Sequence, residues 1–501
     1  MSPIVAWGGD VNLGRRQHYR TAEMGVDNVL KIPALAEADL SIVNLECVVS
    51  TQGEQGINKG EGGPYYYRAR PQMLGVLLAA GIDVVTTANN HSGDYGPEAL
   101  LEQMDLLNAV GIAHAGTGAN REAAFRPVIT RACGLNVAIF SVDATQHRFA
   151  ATDNKPGTAY LSLNEPSLWI ETLAPKIAEA RKSAHVVLVA VHWGENQALE
   201  PSQQEIAAGH ALIDAGADAV MGASAHLLQG IEVYKNRPII YDAGDLLFDA
   251  VRRTFKDTGV FQLKLNAHGV EQVAFFPVGG GYGYSEQLAG QAAVSVASRY
   301  AKKCLLLGTQ LDVTPMGWAF IQLHPPERVA LAIEPVPSIV KNHIEIFARL
   351  DPKDKRWVVD AVPDDARIEP IKIGALTLIG IRVTPRNFTK RQMLWVESFW
   401  STDTTLTDDF RIDFCLVPVT TERMAPWGKG MDHDPCDWMM PTSTCKAGLL
   451  YRDYYGLRPP YLKDWVNGVM KLSVRLRSKD QTTQLVDLGI EIELKLFSRN
   501  I

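Results

Sequence analysis

One local setting recurs through the first half of this chain: an apolar, β-branched run ends abruptly in an acid, an amide or an imidazole. Asp10 closes "VAWGGD", and Asn44 and Glu46 close "SIVNLE". Asn90 and His91 follow "DVVTTAN", with Asp94 shortly after them in "HSGDYG". His192 and Glu195 follow "VVLVAV", His226 ends "VMGASAH", and Asp245 lies in "IIYDAGD". Positions just past the end of a buried strand are where open α/β sheets place ligands. Carboxylates, amide oxygens and imidazoles gathered there can hold divalent cations and move protons. Taken singly, each is also an ordinary turn residue, cap or hydrogen-bonded loop group. Their repetition at successive strand ends carries the inference.

The elements that must position these groups are short. "PIVAWGG", "DLSIVNLE", "DVVTTA", "NVAIFSVDA", "HVVLVAVHW", "DAVMGA" and "RPIIYDAGD" read as buried strands. Between them, "PEALLEQMDLLNAVG", "EPSLWIETLAPKIAEARKS" and "SQQEIAAGHALIDAG" carry apolar residues at helical spacing, and several end in Gly. Strand–helix alternation of this kind predicts an α/β domain over 1–284. Residues 285–345 read as a helical and mixed extension. From 346 to 501 the texture changes: "KLSVRLRS" and "IEIELKLF" alternate apolar and polar residues, which predicts a mostly antiparallel, β-sandwich-like domain.

Composition narrows the classes. The 501 residues exceed one ordinary core, and a net charge of -7 gives no electrostatic footprint for nucleic acid or an anionic membrane. The six cysteines form no CxxC pair and suit reduced thiols. The opening "MSPIVAWGGD" lacks the regions of a signal peptide, and no apolar run reaches transmembrane length, so the expected location is cytoplasmic.

The ordered set "GGDVNLGR", "NLE", "YYYRARPQMLGVLLAAGIDVVTTANNHSGDYG", "GTGANREAAFRPV", "VHWGEN" and "HLLQGIEVYKNRPIIYDAGDLLFD" resembles the CapA-type family of poly-γ-glutamate capsule-synthesis proteins. That family is a branch of the calcineurin-like metallophosphoesterase superfamily, and the likeness covers about residues 4 to 255. It implies a four-layer α/β/β/α sandwich with a two-metal site at the strand ends. By this resemblance Asp10 is a ligand of the first metal, Glu46 the bridging carboxylate, and Asn90 and His192 ligands of the second metal. His91 is the general acid, and His226 the last histidine, on the first metal. The chain departs from the superfamily pattern at Asn12 and Ser224, where imidazoles usually stand, and it reads "GASAH" where the capsule branch has a His-rich run. The remaining donors favour Mn, Mg or Fe over Zn, or serve a site that holds no metal.

Arg15, Arg16 and Arg68 flank the motifs and can hold a substrate carboxylate or phosphate, with Asn12 and Ser224 beside them. Asp94 and Glu195 read as partners that orient His91 and His192, or as proton-transfer groups. Tyr65, Tyr66 and Tyr67 read as core or pocket lining. In the second half, Asp432, His433, Asp434 and Asp437 form either a structured turn or a cation site. Three functions remain open. One is a metal-dependent hydrolase of a phosphoester or peptide-like amide bond. The second is a metal-independent peptide epimerase using the same strand-end acids and bases. The third is a non-catalytic component of a biosynthetic assembly. The expected partner is a small-molecule or peptide substrate.

Overall fold

The computed structural model describes residues 2–56, 59, 65–248, 257–328, 333–342, 356–389, 393–419, 432–457 and 467–495. They form two compact units. The first comprises Met1–Gln52 and Tyr67–Phe347, the second Gly53–Tyr66 and Ala348–Ile501.

The first unit is mixed α/β and contains two large sheets. In one, the strands Ile4–Val11, Leu40–Leu45, Val84–Thr86 and Ala113–Ala115 run parallel. Asp257–Asn266 and Gly269–Gly281 extend it antiparallel on the other side of Ile4–Val11. In the second sheet, Leu135–Asp143, Val186–His192, Ala219–Ala223 and Arg237–Ile240 run parallel, with antiparallel strands at both edges. The parallel strands read as unbroken apolar runs because both of their faces are covered.

Three cores show what covers them. Val5, Trp7 and Ile42 of the first sheet share a cluster with Ile139, Leu188 and Met221 of the second. The alternate residues Val43, Leu45 and Val85 pack with Leu74, Leu77, Leu107 and Val110 of the helices Leu74–Ala79 and Gly96–Val110. Phe140, Val189 and Val220 pack with Trp169, Leu173 and Leu212 of the helices Pro166–Ala180 and Gln203–Asp214. Each fully buried aliphatic side chain contributes about 1.5–3 kcal/mol, so these alternations fix which face of every strand points where.

The described residues of the extension 285–345 belong to the first unit. The strand Tyr284–Gln287 pairs with Gly269–Gly281, as does Ala319–Gln322. The helix Gly290–Leu306 sends Val296, Ala297 and Tyr300 into the core between the sheets. Packing there buries the apolar stripe of the helix.

The second unit has two sheets over one core. Arg367–Ile373, Leu376–Thr384, Leu394–Ser401 and Leu450–Leu457 are antiparallel in one, and Arg411–Pro418, Asn467–Arg477 and Val486–Lys495 in the other. Leu378, Val396 and Trp400 meet Ile412, Phe414, Leu472 and Ile492 between them. The excursion Gly53–Tyr66 is part of this unit, which its polar, Gly-rich sequence did not announce. Gln55 Nε2 donates to Asp437 at 2.7 Å, its Oε1 accepts from the Gly456 amide at 3.2 Å, and Glu54 pairs with Arg452 at 2.7 Å. Tyr66 packs edge-on against Trp395. Among the described residues, no helix is long and apolar enough to cross a membrane.

Candidate functional site

Backbone register brings the strand-end groups to one level. Asp10 pairs with Asp245 on one side and Asn44 on the other, and Asn44 pairs with Thr86. In the second sheet His192 lies level with Asp143 and Ala223. A one-residue irregularity between Trp7 and Asp10 re-aims the end of the first strand. Gly9 makes this feasible: its φ is +71°, and a Cβ there would lie 2.5 Å from the Gly244 carbonyl oxygen. The "GGD" of the sequence is therefore a bulge followed by the carboxylate it delivers.

Asp10 is fully buried, and its Oδ1 accepts from Asn44 Nδ2 at 2.7 Å and its Oδ2 from the Ser224 amide at 3.1 Å. Burial pushes its carboxyl up to about 6; His226 opposes the shift and Asp245 adds to it. Glu46, also fully buried, is faced by three imidazoles at ion-pair rather than hydrogen-bond range. His91 Nε2 and His192 Nε2 lie 3.8 Å from Oε1, and His226 Nδ1 lies 3.9 Å from Oε2. Asn90 Oδ1 sits 3.0 Å from His192 Nε2.

Each imidazole is oriented by a neighbour. His91 Nδ1 meets Asp94 Oδ2 at 2.6 Å, and the ring stacks on Tyr67 with centroids 4.1 Å apart. Asp94 also accepts from the Tyr67 amide at 2.8 Å, so one carboxylate positions both rings. His226 Nδ1 meets Asp245 Oδ1 at 2.7 Å. Burial alone would lower the His226 pKa, but Asp245, Glu46 and Asp10 together hold it well above the ordinary value. The loop delivering His226 is strained, with φ of +116° at Ser224 and +60° at His226. Asp242 anchors that loop through the amides of Ala225 at 2.6 Å and Gly244 at 2.7 Å.

Asn44 is the hub that joins the halves. Its Nδ2 donates to Asp10 and lies 3.2 Å from His192 Nδ1, while its Oδ1 accepts from Thr86 and Asn89. Asn44, Asp242 and the His226–Asp245 pair exceed what spacing alone assigned. Their signal lay in "SIVNLE" and "YDAGD", where a second polar residue sits two or three positions from the expected one.

The structure gathers Asp10, Glu46, Asn90, His91, Asp94, His192 and His226. Ser224 joins through its backbone amide. Asn12 is held by its own turn: its Oδ1 accepts from the Gly14 amide at 2.7 Å, and its buried Nδ2 has no hydrogen-bond partner among the described residues. Arg15 places its guanidinium 4.7 Å from the Tyr67 ring centre, beside His91. Arg68 does not line an open surface; it is buried against Tyr95 at 3.9 Å. Glu195 is exposed, and among the described residues no hydrogen bond or ion pair links its side chain to the cluster. It follows Gly194, whose φ of +87° starts a turn into solvent. Tyr66 and Tyr67 are buried, whereas Tyr65 is exposed.

The donor set suits divalent cations. Ligand atoms of Asp10, Glu46 and His226 lie within 4.8 Å of one another, the one such group of acids and imidazoles among the described residues. Glu46, Asn90 and His192 converge beside it. Carboxylates this deeply buried call for positive counter-charge. Three of the candidate residues of the second unit, by contrast, have partners within that unit. Asp432 pairs with Arg411 at 2.6 Å, His433 with Asp453 at 2.8 Å, and Asp437 with Gln55.

Comparison with known proteins decides the family. Residues 4–250 match the model of the bacterial capsule synthesis protein PGA_cap family. This half of the chain belongs to that family. The capsule biosynthesis protein CapA of Bacillus anthracis is 28% identical over 273 residues, covering 54% of this chain and 66% of that protein. The PGA biosynthesis protein CapA of Bacillus subtilis is 27% identical over 278 residues, covering 54% of this chain and 70% of that protein. A probable polyglutamine synthesis accessory protein of Mycobacterium tuberculosis is 31% identical over 216 residues, covering 42% and 56%. The PGA_cap match ends where the gathered cluster does, shortly after Asp245.

Proposed function

We propose that this chain is a divalent-metal-dependent hydrolase acting on a phosphoester or peptide-like amide bond in the biosynthesis of a capsule-type polymer. The observation that carries the reading is Glu46, a fully buried carboxylate with three imidazoles 3.8–3.9 Å from its two oxygens and with Asp10 alongside. The names of the PGA_cap relatives supply the pathway. The three cores of the first unit support the four-layer α/β/β/α arrangement.

In this reading Asp10, Glu46 and His226 hold one cation, and Glu46, Asn90 and His192 the other. When bound, such cations activate a water and neutralise charge on the group being cleaved. Asn12 and Ser224 leave the set rich in oxygen, which favours Mn, Mg or Fe. Asn44 keeps Asp10 and His192 at a fixed separation. His91, aligned by Asp94 and flattened against Tyr67, protonates the leaving group. Arg15, held over the same tyrosine, receives a carboxylate or phosphate of the substrate.

The test is elemental analysis of protein purified without chelator, paired with turnover of an aryl phosphate and of an oligo-γ-glutamate. Near-stoichiometric metal and turnover, both lost in Glu46→Ala, support the reading. A site that takes up no metal from solution overturns it.

A second reading rests on one feature: His91–Asp94 and His226–Asp245 are two carboxylate-aligned imidazoles facing opposite oxygens of Glu46. Such a pair suits epimerisation, one imidazole taking the α-proton of a peptide residue while the other returns a proton to the opposite face. Solvent deuterium entering the peptide at an unchanged rate in the presence of chelator would select this reading.

A further inference from the structure

Far from the candidate site, the second sheet carries an imbalance of charge. Asp218 is fully buried immediately before the strand Ala219–Ala223, and three guanidiniums from three segments converge on it. Arg181 follows the helix Pro166–Ala180, Arg237 opens the strand Arg237–Ile240, and Arg328 lies beyond Ala319–Gln322. Asp218 Oδ1 accepts from Arg237 Nη1 at 2.5 Å and from Arg328 Nη2. Its Oδ2 accepts from Arg181 Nη2, from Arg328 Nη1 at 3.2 Å and from the Val187 amide at 2.9 Å.

One carboxylate thus faces three permanent positive charges. A simple structural staple is complete with a single guanidinium and the Val187 amide; the second and third add mutual repulsion. Arg181 and Arg237 both sit below the ordinary guanidinium value, first because they are buried and further because Arg328 lies close. Donors also remain. A guanidinium has five N–H groups, yet among the described residues Arg237 uses only Nη1, and Arg328 Nε makes no hydrogen bond. The cluster is reachable from solvent, since the Arg181, Arg237 and Arg328 side chains keep 19%, 13% and 27% of their surface.

We propose that Arg181, Arg237 and Arg328 form a binding site for a multiply charged oxyanion, at the opposite end of the second sheet from the candidate active site. Asp218 starts the strand whose far end leads into Ser224 and His226, a separation of roughly 20 Å at ~3.3 Å per residue. Asp218 pre-orients the three guanidiniums. The unused N–H groups of Arg237 and Arg328 supply the forked geometry that phosphate and carboxylate oxygens accept. Arg181, which also donates to the His185 and Gly216 carbonyls at 2.6 and 2.8 Å, adds its charge. Two sources share this chemistry, a phosphoryl group and the closely spaced carboxylates of an acidic peptide. The site does not depend on the hydrolytic reading.

The experiment measures Tm of the full chain against increasing inorganic phosphate at constant ionic strength set with chloride, with tri-γ-glutamate as a second probe. A one-site anion raises Tm logarithmically once its concentration passes Kd. The expected result is such a rise with at least one probe, the tighter one identifying the source. Arg237→Gln should weaken binding by about tenfold or more while leaving Tm in chloride nearly unchanged, because Arg181 and Arg328 still neutralise Asp218. If Arg237→Gln does not fold, Arg328→Gln gives the same readout. No response to either probe beyond that to chloride overturns the proposal. So does an equal response in the variant, or a variant that loses Tm equally in chloride and in phosphate.

Discussion

Two regions of this protein are built from the same ingredients and use them differently. Around Glu46, carboxylates and imidazoles lie 3.7–3.9 Å apart in the pairs His91–Glu46, His192–Glu46, His226–Asp10 and His226–Glu46, while His91–Asp94 and His226–Asp245 close to hydrogen-bond distance. Around Asp453, every such contact is closed: His433 at 2.8 Å, the Asp437 amide at 3.0 Å, and Tyr455 stacked on His433 at 3.6 Å. Residue type therefore does not separate a ligand site from a structural knot. Spacing is what differs: the His433–Asp453 contact is at hydrogen-bond distance, whereas the imidazoles around Glu46 face its oxygens at 3.8–3.9 Å.

The largest effect that sharpens this contrast belongs to the knot. Asp453→Ala strands a buried imidazole and a buried amide and should cost about 3–5 kcal/mol. Denaturant unfolding measures it, and metal per folded molecule should stay the same. In the first unit, Gly9→Ala forces a Cβ against the Gly244 carbonyl at a positive φ. It should cost about 1–3 kcal/mol and, unlike the first change, lower metal content with it. Asp94→Asn keeps the volume but loosens His91. Turnover should fall about 10–100-fold with metal retained, and a drop in both would place Asp94 among the ligands rather than behind one.

The smallest effect is one of pH, and its sign differs between the units. Asp10 in chelated protein has a raised carboxyl, so its stabilising contribution is full below the ordinary carboxylate value and is lost as pH rises through about 6. Glu397 is buried, which would raise it, but Arg382 and Arg452 hold it below the ordinary range. Its contribution is present above that range and is lost as pH falls through the lowered value. Thermal scans from about pH 2 to 7 on Asp10→Asn and Glu397→Gln should flatten opposite slopes, the Glu397 one below the ordinary carboxylate value and the Asp10 one between that value and about 6. Two slopes of the same sign would contradict the assignment.

Much of this was legible in the chain because apolar strand runs are self-announcing. Asp10, Glu46, Asn90, His91, His192 and His226 each follow one, and parallel pairing brings their ends level. Asn44 as a hub was not legible, since whether an amide points into a site or holds its neighbours depends on cross-strand partners at Asp10 and Thr86. The exposure of Glu195 was not legible either, since strand-end position does not reveal the turn that begins at Gly194. The burial of Arg68 against Tyr95 is a tertiary fact that its place in the sequence does not carry.

The excursion Gly53–Tyr66 has a practical consequence for anyone dissecting the molecule. A gene cut after Phe347 encodes the whole of the first unit, yet also carries Glu54, Gln55 and Tyr66 without Arg452, Asp437, Gly456 and Trp395, the groups they are shaped to meet. Tyr66, left without Trp395, is one bond away from Tyr67, the ring that lies against His91. A minimal version of the first unit therefore requires two edits, a stop after Phe347 and a short bridge from Gln52 to Tyr67.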